Sequence, residues 1–270
     1  MTVIAIPRAA RGIRRRPDVS WLLALRVWQR NRDVYLNLWK AEAMWPLVEP
    51  AVTLVALGIG LGDFVELDGN QSYIDFIAPG MLAVYPMWMA AAEMGWGSFF
   101  RMDSQRTFDA IISTPASVDD VTSGEIFWGA TRGFISLCYV FVMVLVLGTI
   151  ESPLAVFIFP LSFLPGLMFA SMALSYTAVA RSVSSLNYFF AAFITPQYWL
   201  AGVFFPLDRL PEWVQVVAWF TPAFHVVRVY RGLVEGDLDW TMLVSIAWMI
   251  AVTTVFYVLA LYLMRRRLVK

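Results

Sequence analysis

Six apolar runs divide this chain, at roughly 44–62, 76–99, 122–149, 153–180, 184–205 and 241–264. Each is long enough to cross a hydrocarbon core of ~30 Å as a helix of about 20 residues. Composition points the same way. Of the 270 residues, 60% are hydrophobic and 15% charged, and the mean hydropathy is +0.66, more apolar surface than a soluble core of this length needs. The expected fold is an all-α integral membrane protein with six transmembrane helices over 44–264. Residues 1–43 form an N-terminal arm and interfacial helix before them, and 265–270 a basic tail after them.

The cations orient the spans. Nine precede the first run (Arg8, Arg11, Arg14, Arg15, Arg16, Arg26, Arg30, Arg32 and Lys40), Arg101 and Arg106 lie in the second connection, and Arg181 lies in the fourth. Arg265, Arg266, Arg267 and Lys270 form the tail. The first connection holds Asp63, Glu66, Asp68 and Asp75 without a cation, and the third has only Glu151. Both termini and the second connection are therefore expected on the cytoplasmic side. The Arg-Arg-Arg-Pro stretch at 14–17 is not expected to belong to a cleaved signal, because Arg26 cuts the apolar run after it and no small-residue cleavage site follows. Trp21, Leu22, Leu25, Trp28, Tyr35, Leu36 and Trp39 fall instead on one side of a helix that Ser20 can cap, with Arg26 and Arg30 opposite. That pattern predicts a helix lying in the membrane surface.

The stretch Arg101–Glu125 is too polar for lipid and is expected in water. Within it, Phe108, Ile111 and Ile112 share a helical face, with Arg106 and Asp109 elsewhere on the wheel. Thr114-Pro115 ends that helix, and Ser117 and Asp120 have the spacing of a capping box for the next. Two readings stand: a loop resting on the membrane surface, or a docking knob for a soluble partner. The fifth connection, 206–240, is too apolar for a solvated loop. Pro206, Pro211 and Pro222 punctuate two short helices in it, at about 211–219 and 222–234. They form either an outer re-entrant hairpin, and so a gate, or a plain pair of surface helices.

Charges within apolar runs are costly unless paired or wet. Glu49, Glu93 and Arg132 are such residues, and pairing of a carboxylate with Arg132 is the expected use. A proton relay would want histidine among them, but the one histidine, His225, lies in the outer hairpin and is expected to be structural. No catalytic set stands out. There is no G-x-x-x-x-G-K-[ST] loop, the only lysines are Lys40 and Lys270, and no Cys/His spacing suits a metal. No cofactor is expected on this chain. Zero net charge implies no nucleic-acid partner, and Cys138, as the sole cysteine, cannot form an intrachain disulfide. The many aromatic residues, Tyr85, Trp88, Trp96, Phe189, Phe190, Tyr198 and Phe204 among them, suit either an interfacial belt or a conduit on which sugar rings stack.

The runs WPLVEPAVTLVALGIGLGDFV from Trp45, YIDFIAPGMLA, FRMDSQRTFDAIISTPASVDDVTSGEIFWGATR and GVFFPLDRLPEWVQVVAWFTPAFHVVR resemble the permease subunits of type-two ABC exporters. The resemblance covers about residues 22–265 and leaves out the first 20. Within that family it is nearest to the branch that exports lipo-chitooligosaccharide nodulation factors. It implies a six-span subunit that pairs with a second copy of itself and binds two copies of a separate ATPase, which holds ATP and Mg. It also implies a cytoplasmic coupling helix at about Ser104–Thr114, with Arg106, Phe108, Asp109, Ile111 and Ile112 as coupling residues. The outer gate it implies lies in Phe204–Arg231, with Phe204, Phe205, Pro206, Pro211, Pro222 and His225. The implied function is outward transport of a glycolipid or lipo-oligosaccharide across the inner membrane. A drug exporter, or a membrane-embedded lipid-modifying enzyme, is the alternative.

Overall fold

A computed structural model describes residues 19–60, 62–65 and 72–269, without the side chains of 59 and 63. The arginines of the N-terminal arm (Arg8, Arg11, Arg14, Arg15 and Arg16), with Glu66, Asp68 and Lys270, lie outside the described residues. The described residues form helices and no strand. In chain order these are α1 (Trp21–Thr53), α2 (Tyr73–Ala92), α3 (Thr107–Ile112), α4 (Val118–Val146) and α5 (Ile158–Leu161). There follow α6 (Phe163–Val179), α7 (Val183–Phe189), α8 (Thr195–Leu200), α9 (Glu212–Trp219), α10 (Pro222–Glu235) and α11 (Thr241–Leu268).

Among the described residues, four helical stretches are long and apolar enough to cross a membrane: Tyr73–Ser104, Val118–Val146, Pro153–Val179 and Thr241–Leu268. The first and fifth predicted runs are built differently. Residues 44–59 continue α1 without a break through Pro46 and Pro50 and end in a π-helical turn, Leu54–Ile59. The expected boundary between interfacial helix and span at 43/44 is thus not a break in the helix. Residues 184–200 are α7 and α8 joined by another π turn, Phe190–Ile194, and 201–205 leave the helix altogether.

α4 is the centre of the bundle, packed on α1, α2, α6 and α11. Its start is fixed as the sequence predicts: the Asp120 amide donates to Ser117 Oγ at 3.1 Å, and the Ser117 amide donates to Asp120 Oδ2 at 2.8 Å. The other Asp120 oxygen accepts from the Ser20 amide at 2.6 Å. One carboxylate therefore caps two helices, and the Ser20 side chain, expected to cap α1, makes no capping bond. Arg265 of α11 pairs with Asp119 beside it. Trp21, Leu22, Leu25, Leu36 and Trp39 stay exposed on α1, as an interfacial face requires. Trp28 and Tyr35 do not share it: the Trp28 indole donates to Thr131 at 2.9 Å, and Tyr35 packs on Trp128 with ring centroids 5.7 Å apart.

That contact between α1 and α4 depends on Gly124. A Cβ there would stand 2.6 Å from the Ala24 carbonyl oxygen and 2.6 Å from Val27 Cβ. Gly124→Val should therefore lower the thermal midpoint of the purified protein, by an amount equivalent to about 1–3 kcal/mol. Gly62→Ala, where a Cβ meets nothing within 4 Å among the described residues, serves as the control. Equal midpoints for the two variants would contradict the packing.

Candidate functional site

Three helices bring polar side chains to one face each. Asn31 and Glu42 are three turns apart on α1, and Glu125 and Arg132 are two turns apart on α4. Glu93 and Arg101 lie on the continuation of α2, which runs through two π turns, Glu93–Gly97 and Phe100–Ser104. A π turn adds a residue and shifts the phase of the helix beyond it. Its freed carbonyl must then be met by other means, and the Thr177 hydroxyl donates to Met94 O at 2.9 Å. Gly97 lies between Glu93 and Arg101, where a Cβ would stand 2.9 Å from Glu93 Oε1 and 3.2 Å from Arg101 Nη1. Only a residue without a side chain leaves that pair room.

The charges alternate without interruption. Asn31 Nδ2 donates to Glu125 Oε1 at 2.7 Å, and Arg101 donates to Glu125 Oε2 from Nε (3.0 Å) and Nη2 (2.6 Å). Arg101 Nη1 reaches Glu93 Oε1 at 2.7 Å, Arg132 Nε lies 3.3 Å from Glu93 Oε2, and Arg132 Nη2 donates to Glu42 Oε2 at 2.6 Å. Ser98 Oγ donates to Glu125 at 2.6 Å, and the Tyr35 ring lies 4.6 Å beneath the Arg132 guanidinium. Glu125 is wholly buried and Arg132 4% exposed, while Glu42 at the far end is 42% exposed. Burying one such charge alone would cost several kcal/mol, and the alternation offsets that cost. Arg132 thus has the carboxylate partners expected of it. Arg101 and Glu125, placed in water by the sequence reading, are inside the protein, as are Asp119, Asp120, Thr122 and Ser123. Polarity there reflects internal pairing rather than solvation.

At the Glu42 end the chain of charges borders a cavity of about 500 Å³ lined by Glu42, Glu93, Arg132, Trp45, Trp88 and Trp96. Trp96 stacks on Phe190 with centroids 3.9 Å apart. Glu49 is half-buried on α1, one turn from Thr53. The Tyr85 hydroxyl donates to Thr53 at 2.9 Å, and the Tyr198 hydroxyl donates to Tyr85 at 3.1 Å.

At the Arg101 end the chain leads into α3. Arg106 opens it with φ +52°, a left-handed conformation that a non-glycine residue rarely adopts. Arg106 and Asp109 are 80% and 58% exposed, their charged atoms 3.9 Å apart. Phe108 is wholly buried in the core of this chain, and Ile111 and Ile112 are half-buried against it. The apolar face of α3 therefore points inward, which corrects the expectation of Phe108 as an outward knob. A six-residue helix can hold its place between α2 and α4 only by burying that face.

The hairpin α9–α10 hangs from α2 by main-chain acceptors. The Tyr73 hydroxyl donates to Phe204 O at 3.1 Å, and Arg231 Nη2 donates to Phe76 O at 3.1 Å and Gly202 O at 3.0 Å. Phe204 and Pro222 are buried, while Phe205, exposed, precedes the half-buried Pro206, and Pro211 is exposed before α9. His225 is buried, with Nε2 2.9 Å from Trp219 O, Nδ1 3.2 Å from Ser245 Oγ, and its ring stacked on Trp248. Arg231, Asn31 and Glu42 carry these contacts without standing out in the sequence. The interval of seven from Glu125 to Arg132, across Gly129, is the signal that was there to be read.

A family model described as "ABC-2 type transporter" matches residues 22–234. A Nodulation protein J of Rhizobium leguminosarum bv. trifolii is 31% identical over 253 residues, covering 94% of this chain and 95% of its own. Another, of Rhizobium meliloti (strain 1021), is 32% identical over 242 residues, covering 90% and 92%. The inner membrane transport permease YadH of Escherichia coli (strain K12) is 22% identical over 258 residues, covering 91% and 96%.

Proposed function

The chain belongs to the ABC-2 type transporter family, and on that premise we propose that it is the six-span permease subunit of an ATP-driven exporter in a bacterial inner membrane, with both termini cytoplasmic. Energy enters from a separate ABC ATPase, two copies to a permease dimer, which holds ATP and Mg. The first and fifth runs, neither of them built as a plain lipid-facing span, supply the contact between permease copies. Exposed Met44, Trp45, Val48, Val52 and Trp199 support that role.

The observation that carries the reading is the position of Arg101. It lies at the root of the α3 loop and also in the middle of an ion-pair chain that ends at the tryptophan-lined cavity. A push on α3 is thus delivered to charged side chains rather than dissipated in a loop. Transport of a lipo-oligosaccharide is supported by the relatives called Nodulation protein J and by the cavity itself. Indole faces suit the C–H faces of a sugar, and carboxylate and guanidinium groups suit its hydroxyls.

Docking then falls to the exposed side of α3. Arg106→Glu with Asp109→Arg should leave the thermal midpoint within the range of ordinary surface changes, about ±0.5 kcal/mol, while abolishing ATPase co-purification and export. The check is pull-down of the co-expressed ATPase beside lipo-oligosaccharide export in the same cells. Retention of both activities would place the coupling contact elsewhere, and intact coupling with export of drugs alone would replace the substrate.

A further inference from the structure

Beyond Phe189 and Phe190, whose rings stand between them and the charged cavity, two further cavities adjoin between α6, α7 and α11. One, of about 530 Å³, is walled by Met172, Tyr176, Phe189, Phe193, Phe256 and Leu259 and is almost wholly apolar. The other, of about 540 Å³, is lined by Ala178, Ala180 and three arginines, Arg181, Arg266 and Arg267. Val179 and Leu263 line both, so the two form one groove with a basic end. Its floor follows α11 from Phe256 to Arg267, eleven residues or ~16 Å of helix, about half of a ~30 Å hydrocarbon core. That length matches one leaflet of hydrocarbon. Arg267 is anchored at its head, donating to Thr177 O and Ala180 O at 2.6 Å each, two carbonyls at the end of α6. Arg181 and Arg266 are exposed, and neither forms an ion pair among the described residues.

We propose that this groove binds one anionic glycerophospholipid, with its phosphate among Arg181, Arg266 and Arg267 and an acyl chain along α11. An apolar slot of leaflet length that ends at Arg181 and Arg266, two guanidiniums without an ion pair among the described residues, matches an amphiphile with a negative head, and a neutral head would leave those charges unmet. The groove shares no lining residue with the tryptophan-lined cavity, so the site stands independently of the export reading.

The test is native mass spectrometry of the delipidated full chain in dodecyl maltoside, with added dioleoylphosphatidylglycerol, dioleoylphosphatidylcholine or inorganic phosphate. One phosphatidylglycerol per chain is expected to remain bound, with phosphatidylcholine weaker and phosphate failing to displace it. Arg181→Gln with Arg266→Gln removes two exposed, unpaired charges, so folding should be kept. Affinity for phosphatidylglycerol should fall roughly 30-fold, the equivalent of about 1 kcal/mol per guanidinium. Val179→Trp, which fills the groove from an exposed position on α6 outside the first and fifth runs, should weaken binding with every arginine intact. Equal binding of the two lipids, or indifference to the double arginine change, would overturn the proposal. Displacement by phosphate alone would reduce the site to a bare anion site and also overturn it. Conversion of a dimer to a monomer by Val179→Trp would instead show the groove to be an interface between copies and overturn the proposal.

Discussion

Replacing Arg101 by leucine is expected to cost about 3–5 kcal/mol of stability, the typical effect of removing one partner from a buried ion pair. The guanidinium satisfies Glu125 through two nitrogens and Glu93 through the third. Its loss would leave two carboxylates facing one another across an apolar gap, only one of them still paired with Arg132. In a chain of this size that corresponds to a fall in thermal midpoint on the order of 10 °C. Arg101→Lys should recover little, because an ammonium is a point charge and cannot span both carboxylates as the planar fork does. Adding Glu125→Gln to the leucine variant should restore part of the loss by removing the uncompensated charge. Melting curves of the four proteins in one detergent decide the matter. If Arg101→Leu melts with the parent, the chain of charges contributes nothing to the fold and the route from α3 to the cavity has no physical basis.

Phe108→Asp is expected to be at least as damaging, and for a different reason. The ring is wholly buried beneath α3, so truncation alone, as in Phe108→Ala, costs about 3–5 kcal/mol. The carboxylate would add a charge to an apolar core, where burial without a partner is costly. The expected result is low membrane yield and loss of monodispersity in detergent, before any question of ATPase binding arises. Size-exclusion profiles of Phe108→Asp and the Arg106/Asp109 double variant separate the two faces of α3. A monodisperse Phe108→Asp protein that has lost only its ATPase would mean that the ring faces outward in the assembled transporter.

Much of the helical plan was legible because apolar run length is a one-dimensional signal. The second, third, fourth and sixth runs correspond to the four long apolar helices, and the Ser117–Asp120 box marks the start of α4 to the residue. The site was legible in part: Glu93 and Arg132 stood out as charges in apolar runs, and they meet. Arg101 and Glu125 did not, because each lies at the end of a polar stretch and looks solvated when its neighbours in space are unknown. Two π turns separate Glu93 from the α3 loop, and a wheel drawn at 3.6 residues per turn loses phase at each. The inward turn of Phe108 was hidden for a related reason. A six-residue amphipathic helix has the same pattern whether its apolar face meets a partner or its own bundle.

The α9–α10 hairpin is held by side chains that grip the polypeptide, with the Arg231 guanidinium also 4.3 Å over the Phe76 ring. Tyr73 and Arg231 bind the carbonyls of Phe204, Phe76 and Gly202, and every residue type presents the same carbonyl. Substitution at Phe204 leaves that carbonyl in place wherever the backbone path is kept, whereas Phe76 also offers its ring to Arg231 and Gly202 sits at φ +79°. The carbonyl contacts themselves therefore set few demands on the side chains they pass between, while the two anchors, Tyr73 and Arg231, are not interchangeable with other residues.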